Sequence, residues 1–142
     1  MHQKAYISET KIRVRYSETD QAGLVYYGNY AQYYEVGRIE ALRQLGHTYK
    51  GLEEAGVVMP VLSMNIKYIR PALYDDLLTI KTIIREAPIT RMNFEYEISN
   101  ESGKLLNKGE TTLVFVSKET YKTIKAPEWF TGLIEKAINE DD

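Results

Sequence analysis

The chain predicts an α+β fold in which one antiparallel sheet wraps one long helix. Three observations predict it. Residues 29–45 repeat apolar and small side chains at helical spacing. Extended stretches within residues 57–117 follow, with side chains alternating between two faces. Short turn signals join them, which favours antiparallel neighbours. A helix with one such stripe has to be covered, and that sheet is the available cover.

The elements follow in order. Residues 10–16 set Ile12, Val14 and Tyr16 against Lys11, Arg13 and Arg15, the pattern of a strand with one wet face. Residues 17–25 read as a loop, in which Gly23 is free to take an unusual backbone angle. In the helix, Tyr30, Tyr34, Gly37, Ala41 and Leu45 form the stripe, and Gly46 is its stop. The small residues on the stripe would let a sheet approach closely. A short helical turn fits residues 48–56. Residues 57–69 read as extended, with Met64, Ile66 and Tyr68 alternating against Asn65 and Lys67, up to Pro71. Residues 77–85 form the next strand. Phe94, Tyr96 and Ile98 alternate against Asn93, Glu95 and Glu97 in another. Asn100-Glu101-Ser102-Gly103 is a hairpin turn leading into a long strand over 105–117. These four strands read as a hairpin succession. Phe130, Leu133, Ile134, Ala137 and Ile138 mark a closing amphipathic helix opened by Pro127.

Composition narrows the function. The 142 residues fit a single domain spanning 1–142, large enough for a core. Hydrophobic residues make up 44% and charged residues 27%, ordinary values for a globular protein. A net charge of -2 implies no basic face for nucleic acid. With no cysteine, disulfides, thiolate nucleophiles and zinc–thiolate sites are removed together. Imidazole comes only from His2 and His47, which argues against a Ser–His triad or a multi-histidine metal site. No metal or organic cofactor is expected. No run approaches a membrane span and the N-terminus lacks an apolar signal core, so a cytoplasmic location is expected. Tyrosine is abundant, with 12 copies against 3 phenylalanines, and Tyr26, Tyr27, Tyr30, Tyr33 and Tyr34 crowd one segment. Those rings suit packing at a core edge or subunit interface, or the lining of an acyl pocket.

The chemistry concentrates between Ser17 and Tyr30. An acid, Asp20, sits in a turn and is followed by Gly23 and an aromatic-rich helix entry. A carboxylate beside a helix N-terminus can act on a carbonyl: it supplies a base or nucleophile, while the unpaired N–H groups of the helix end stabilise negative oxygen. An Asx-turn or a helix cap is the plainer use of such an aspartate.

The pattern Tyr16-x-x-Thr19-Asp20-x-x-Gly23-x-Val25-Tyr26-Tyr27-x-x-Tyr30 resembles the signature of hotdog-fold acyl-CoA thioesterases, in particular the 4-hydroxybenzoyl-CoA thioesterase family and its bacterial acyl-CoA thioester hydrolase relatives. The likeness runs from Thr10 to Pro127, with a second matching patch at Tyr74-Asp75-Asp76-x-Leu78-x-Ile80. It implies a hotdog fold and hydrolysis of an acyl-CoA thioester, or of an acyl carrier protein thioester, without a cofactor. It implies that Asp20 is the catalytic carboxylate, acting by direct attack or through a water. It gives Tyr27 an oxyanion role through its backbone N–H, with Gly28 as a second donor and the Tyr26 ring beside the substrate. Relatives of the Tol–Pal-associated type carry histidine where this chain has Tyr27, which speaks against a histidine-assisted route here. The resemblance directs CoA phosphates to Arg91, in the segment Arg85-Glu86-Ala87-Pro88-Ile89-Thr90-Arg91, and to Lys122. It also implies a homodimer with active sites between subunits, and homotetramers are common in the family.

Other acids and rival functions complete the expectations. Glu18 lies close to Asp20. Glu35, on the helix, is a solvated acid or the fallback catalytic acid, and Arg38 would pair with it or with a partner subunit. A hotdog dehydratase or hydratase would need a histidine base, for which His47 facing Asp20 is the remaining candidate. A non-catalytic thioester-binding protein is the other alternative, and the intact Asp20 argues against it.

Overall fold

The first strand, β1, is Tyr6–Arg13 rather than residues 10–16. It starts early because tertiary partners hold it: the Tyr6 hydroxyl donates to the Ala41 carbonyl at 2.9 Å, and Ser8 Oγ donates to Gln44 Oε1 at 2.9 Å. Val14 is buried as expected. Tyr16 is not, for the chain has turned into a 3-10 helix over Tyr16–Glu18 and leaves that ring 78% exposed. This computed structural model describes residues 4–46 and 49–140.

A second 3-10 turn, Tyr27–Asn29, leads into α1, Tyr30–Arg43, which buries Tyr30, Tyr33, Tyr34, Gly37, Arg38, Ala41 and Leu42. Gly46 follows with φ +91°, a conformation that suits a helix stop. The short helix α2 is Tyr49–Glu54; the expected start at Thr48 lies outside the described residues. The extended stretch expected over 57–69 is divided by Pro60 into β2, Val57–Val58, and β3, Val61–Tyr68. β4 is Leu77–Ile84, β5 is Arg91–Ser99 and β6 is Leu105–Val114. β7, Val116–Ser117, leaves β6 to pair with β2, and α3 is Glu128–Asn139.

The main sheet has five strands in the order β1-β4-β5-β6-β3, with every pairing antiparallel. The expected hairpin succession holds from β4 to β6 and fails between β3 and β4. Burial accounts for the difference. β4 buries Leu78, Ile80, Thr82, Ile83 and Ile84 and suits an interior position, whereas β3 is exposed or half-buried at every residue and takes an edge.

Two glycines let the layers meet. A Cβ on Gly37 would stand 2.7 Å from Thr82 Oγ1 and 2.8 Å from Ile80 Cγ2, so α1 can lie this close to β4 only with no side chain there. A Cβ on Gly109 would fall 2.4 Å from the Tyr34 ring. That ring stacks on Tyr96 with centroids 4.2 Å apart, and its hydroxyl donates to Asn107 Oδ1 at 2.6 Å. The core therefore contains a stacked pair of tyrosines whose polar tips are satisfied inside it.

Candidate active site

Glu18 fixes the loop that carries Asp20. Its side chain is 5% exposed. Oε1 accepts the Arg15 backbone N–H at 2.9 Å and the Tyr33 hydroxyl at 2.9 Å, while Oε2 accepts Arg15 Nε at 3.1 Å. Burial pushes the carboxyl upward. The Arg15 N–H, the Tyr33 hydroxyl and the Arg15 guanidinium outweigh that and hold it below its ordinary value. Burial first, then the hydrogen bond to Glu18 and its negative charge, push the Tyr33 phenol up. The Glu18 carbonyl also accepts the Tyr26 N–H at 3.0 Å and Asn29 Nδ2 at 2.9 Å. Loop and helix entry are thus tied at one residue.

Asp20 closes a tight turn. Its N–H donates to the Leu24 carbonyl at 2.7 Å, and the Gly23 N–H donates back to the Asp20 carbonyl at 3.1 Å. Gly23 has φ +82°, which glycine adopts freely. Oδ1 accepts the Ala22 N–H at 2.9 Å and the Leu24 N–H at 3.2 Å. The Asx-turn weighed from the sequence is therefore present, and it orients the carboxylate while leaving Oδ2 without a hydrogen bond among the described residues. The side chain is exposed.

The second motif patch supports this turn from below. The Tyr74 N–H donates to the Gly23 carbonyl at 3.1 Å and the Val25 N–H to the Ala72 carbonyl at 2.9 Å. Asp76 Oδ2 accepts the Leu73 N–H at 2.9 Å, and Asp75 takes φ +70°, which completes a tight bend. Beside it, the Tyr27 and Gly28 N–H groups find no acceptor among the described residues. They are the free donors expected at a helix start. The Tyr68 hydroxyl donates to the Tyr27 carbonyl at 3.1 Å. Tyr26 and Tyr27 are 48% and 64% exposed, with ring centroids 4.7 Å apart. Gly28 lies under the Tyr26 ring, where a Cβ would stand 2.9 Å from Cε2.

Asp20, Tyr26, Tyr27 and Gly28 thus gather at one end of the sheet. Arg91 and Lys122 do not join them within the protomer. Arg91 opens β5 opposite Val114, and the Lys122 carbonyl accepts the Ser117 N–H, so both lie at the far end of the strands. An eight-residue strand such as β4 separates the ends by about 26 Å. Arg85 is engaged with Glu95 at 2.8 Å. Glu35 is exposed on α1. Arg38 is buried and makes no ion pair among the described residues, neither with Glu35 nor with another acid. His2 and His47 lie outside the described residues. The sequence reading named Glu18 only as a nearby acid. The spacing Arg15-x-x-Glu18 is the one local signal of its clamp, since Tyr33 lies 15 residues away.

Comparison with known proteins gives the arrangement its context. The family model described as the thioesterase-like superfamily matches residues 14–134. A Bacillus subtilis (strain 168) protein named "Putative acyl-CoA thioesterase YneP" is 37% identical over 136 residues, covering 93% of this chain and 98% of that protein. The acyl-CoA thioester hydrolase YbgC of Escherichia coli O6:H1 is 34% identical over 117 residues, covering 82% of this chain and 87% of its own. The crystal structure of the DHNA-CoA thioesterase of Staphylococcus aureus superposes with a TM-score of 0.85 at 34% identity, over 92% of this chain and 87% of that one. A 4-hydroxybenzoyl-CoA thioesterase, at 23% identity and TM-score 0.81, covers 91% of this chain and 99% of its own and shares the fold. The chain belongs to the thioesterase-like superfamily and has its hotdog fold.

Proposed function

We propose that the protein hydrolyses acyl-CoA thioesters to a carboxylic acid and CoA, with Asp20 as the reacting carboxylate and the Tyr27 backbone N–H as oxyanion donor. One observation carries this reading. Glu18 ties the Asp20 turn to a helix entry whose first N–H groups have no acceptor among the described residues, so a carboxylate and free donors suited to an oxyanion belong to one hydrogen-bonded unit. The relatives named for acyl-CoA thioester hydrolysis support the substrate class. Two routes use this geometry. In one, Asp20 Oδ2 attacks the carbonyl, the C–S bond breaks and CoA leaves as the thiolate, which takes a proton from solvent, and water then opens the mixed anhydride to the acid and the Asp20 carboxylate. In the other, the carboxylate takes a proton from the attacking water. Rapid mixing separates them: the anhydride route releases CoA ahead of the acid, and the base route releases both together.

A homodimer with shared sites completes the proposal. Edge strand β3 exposes Val61, Leu62 and Met64 by 46–51%, whereas the other edge, β1, carries Glu9, Lys11 and Arg13. An antiparallel pairing of two β3 strands covers that apolar edge. It also sets the Val61 end of one copy beside the Tyr68 end of the other. Arg91 and Lys122 of the second copy then approach Asp20, where they can hold CoA phosphates.

The decisive experiment is a thiol-trapping assay over short, medium, long and aromatic acyl-CoA esters, run with an Asp20→Asn control. Asparagine keeps the turn, because its side-chain oxygen can still accept the Ala22 and Leu24 N–H groups. Turnover should fall on the order of a hundredfold or more. Near-normal turnover in the folded variant removes Asp20 from the chemistry.

A further inference from the structure

Among the described residues, two charged side chains are buried, Glu18 and Arg38. Glu18 is fully engaged. Arg38 is 7% exposed, yet its Nη1 reaches only Tyr96 Oη at 3.5 Å, and its Nε has no acceptor. Tyr49 Oη is likewise shut off from solvent without a well-aligned hydrogen bond, although the Arg38 cation stands close enough to act on its phenol. Arg38 and Tyr49 line one cavity of about 150 Å³, walled by Leu52, Val57 and Met59, with Glu35 and Glu53 also on its lining. Removing a permanent cation from water costs several kcal/mol unless oxygen acceptors replace the water. Here Arg38 Nε lacks an acceptor beside a cavity walled by apolar side chains and two exposed acids.

The position of this cavity relates it to the proposed oxyanion donor. Arg38 follows Tyr27 by eleven residues, about 16 Å along a helix axis. Its side chain leans back toward the helix start, which shortens the span to roughly 10–16 Å. Tyr27, Ala31, Glu35 and Arg38 fall on one line of the helix surface at spacings of four, four and three. None of the first three is buried, so the line is open. An extended chain advances about 1.2 Å per bond, so roughly eight to thirteen bonds join the two points. Glu35 and Glu53, exposed acids on the same lining, offset the Arg38 charge and leave no surplus positive charge to favour a carboxylate over a neutral oxygen.

We infer that this cavity recognises an uncharged oxygen, a hydroxyl or keto group, near the far end of a medium-length acyl chain. The inference rests on the thioesterase reading above and names the substrate class within it. Arg38 donates to the oxygen, and Tyr49 serves as the second partner.

The test is calorimetric titration of Asp20→Asn protein, whose turnover should be slow enough to read binding, with three ligands: ω-hydroxydecanoyl-CoA, decanoyl-CoA and the mono-CoA thioester of decanedioic acid. The hydroxyl-bearing ester should bind about tenfold more tightly than decanoyl-CoA, the size expected of a hydrogen bond from a charged donor. The carboxylate-bearing ester should bind more weakly than the hydroxyl-bearing one. The hydroxyl preference should vanish in Arg38→Met and shrink in Tyr49→Phe. If Arg38→Met does not fold, Tyr49→Phe decides alone, since it removes one oxygen and keeps the ring. Equal affinity for the hydroxyl- and methyl-ended esters overturns the inference. So does tightest binding of the carboxylate ester, or a preference untouched by Tyr49→Phe. A dimer structure with a carboxylate of the second copy paired to Arg38 overturns it too. If no acyl-CoA binds or is hydrolysed, the thioesterase reading itself has failed; if decanoyl-CoA binds and the hydroxyl adds nothing, only this inference has.

Discussion

Tyr33→Phe tests the clamp that holds the candidate site together. The substitution removes one oxygen and leaves the ring, which is 1% exposed and packs edge-on against Tyr30 at 5.8 Å. What is lost is the donor to Glu18 Oε1 at 2.9 Å. A buried hydrogen bond to a charged group contributes about 1.5–3 kcal/mol, and Glu18 keeps its Arg15 donors, so a loss near 2 kcal/mol is expected. With a urea slope of about 2 kcal/mol per molar, the midpoint should fall by about 1 M. Heating should show a drop of roughly 7 °C. The loss should also depend on pH. The Glu18 carboxyl is held below its ordinary value in the folded chain, so its contribution is present above the unfolded value and disappears as pH falls through the folded one. Removing the Tyr33 donor weakens that contribution, and the gap between variant and parent should be full at neutral pH and narrow in acid. Urea titrations of both proteins across an acid-to-neutral series measure this. A loss under about 0.5 kcal/mol, the scatter of uninvolved substitutions, or a loss that does not change with pH would refute the clamp.

Three further outcomes are expected. Tyr27→Phe should leave turnover nearly intact, whereas Tyr27→Pro, which deletes the backbone donor, should abolish it; a phenylalanine variant as inactive as Asp20→Asn would make the phenol part of the chemistry. Replacing Arg91 and Lys122 together by alanine should raise KM for acyl-CoA more than it lowers kcat, and the effect should shrink on a pantetheine thioester lacking the nucleotide phosphates. Equal losses on both substrates would place these residues in folding or chemistry instead. Met64→Lys puts a charge on the exposed β3 edge and should yield monomers by sedimentation, with activity lost in parallel; a fully active monomer argues against a shared site.

Much of this arrangement is legible in the sequence, and the exceptions share a cause. The α1 stripe, the Gly46 stop, the β4-to-β6 hairpins and the α3 helix follow from periodicity and turn residues, which are local signals. The grouping of Asp20 with Tyr26, Tyr27 and Gly28 is visible because they lie within nine consecutive residues. Long-range meetings are not legible. Nothing near Gly109 announces that Tyr34 will lie on it, and nothing near Tyr6 announces the Ala41 carbonyl that starts β1 early. Pattern also fails to rank strands. β3 alternates as well as β5 does, yet one is an exposed edge and the other lies between two partners. The same blindness hides that Arg91 and Lys122 sit across the sheet from Asp20.

That separation bears on how a site so open could be effective. Asp20 is exposed, and the free N–H groups of Tyr27 and Gly28 stand beside rings that are about half uncovered or more. Backbone donors stabilise an oxyanion strongly only where water is excluded, because bulk water screens the interaction to a small fraction of its strength in a dry site. Among the described residues of one chain nothing supplies that exclusion. The surface next to Tyr27 continues through Tyr68 and Ile69, exposed by 50% and 44%, into the apolar β3 edge. In the dimer proposed above, pairing of two such edges would do three things at once. It would satisfy the free backbone groups of β3, cover the Tyr68 side of the helix entry, and deliver the cations of the second copy to the end where the first copy has Asp20. Assembly and catalysis would then depend on the same strand, and a lesion on β3 far from Asp20 should reach turnover by removing the second wall of the site rather than by altering the first.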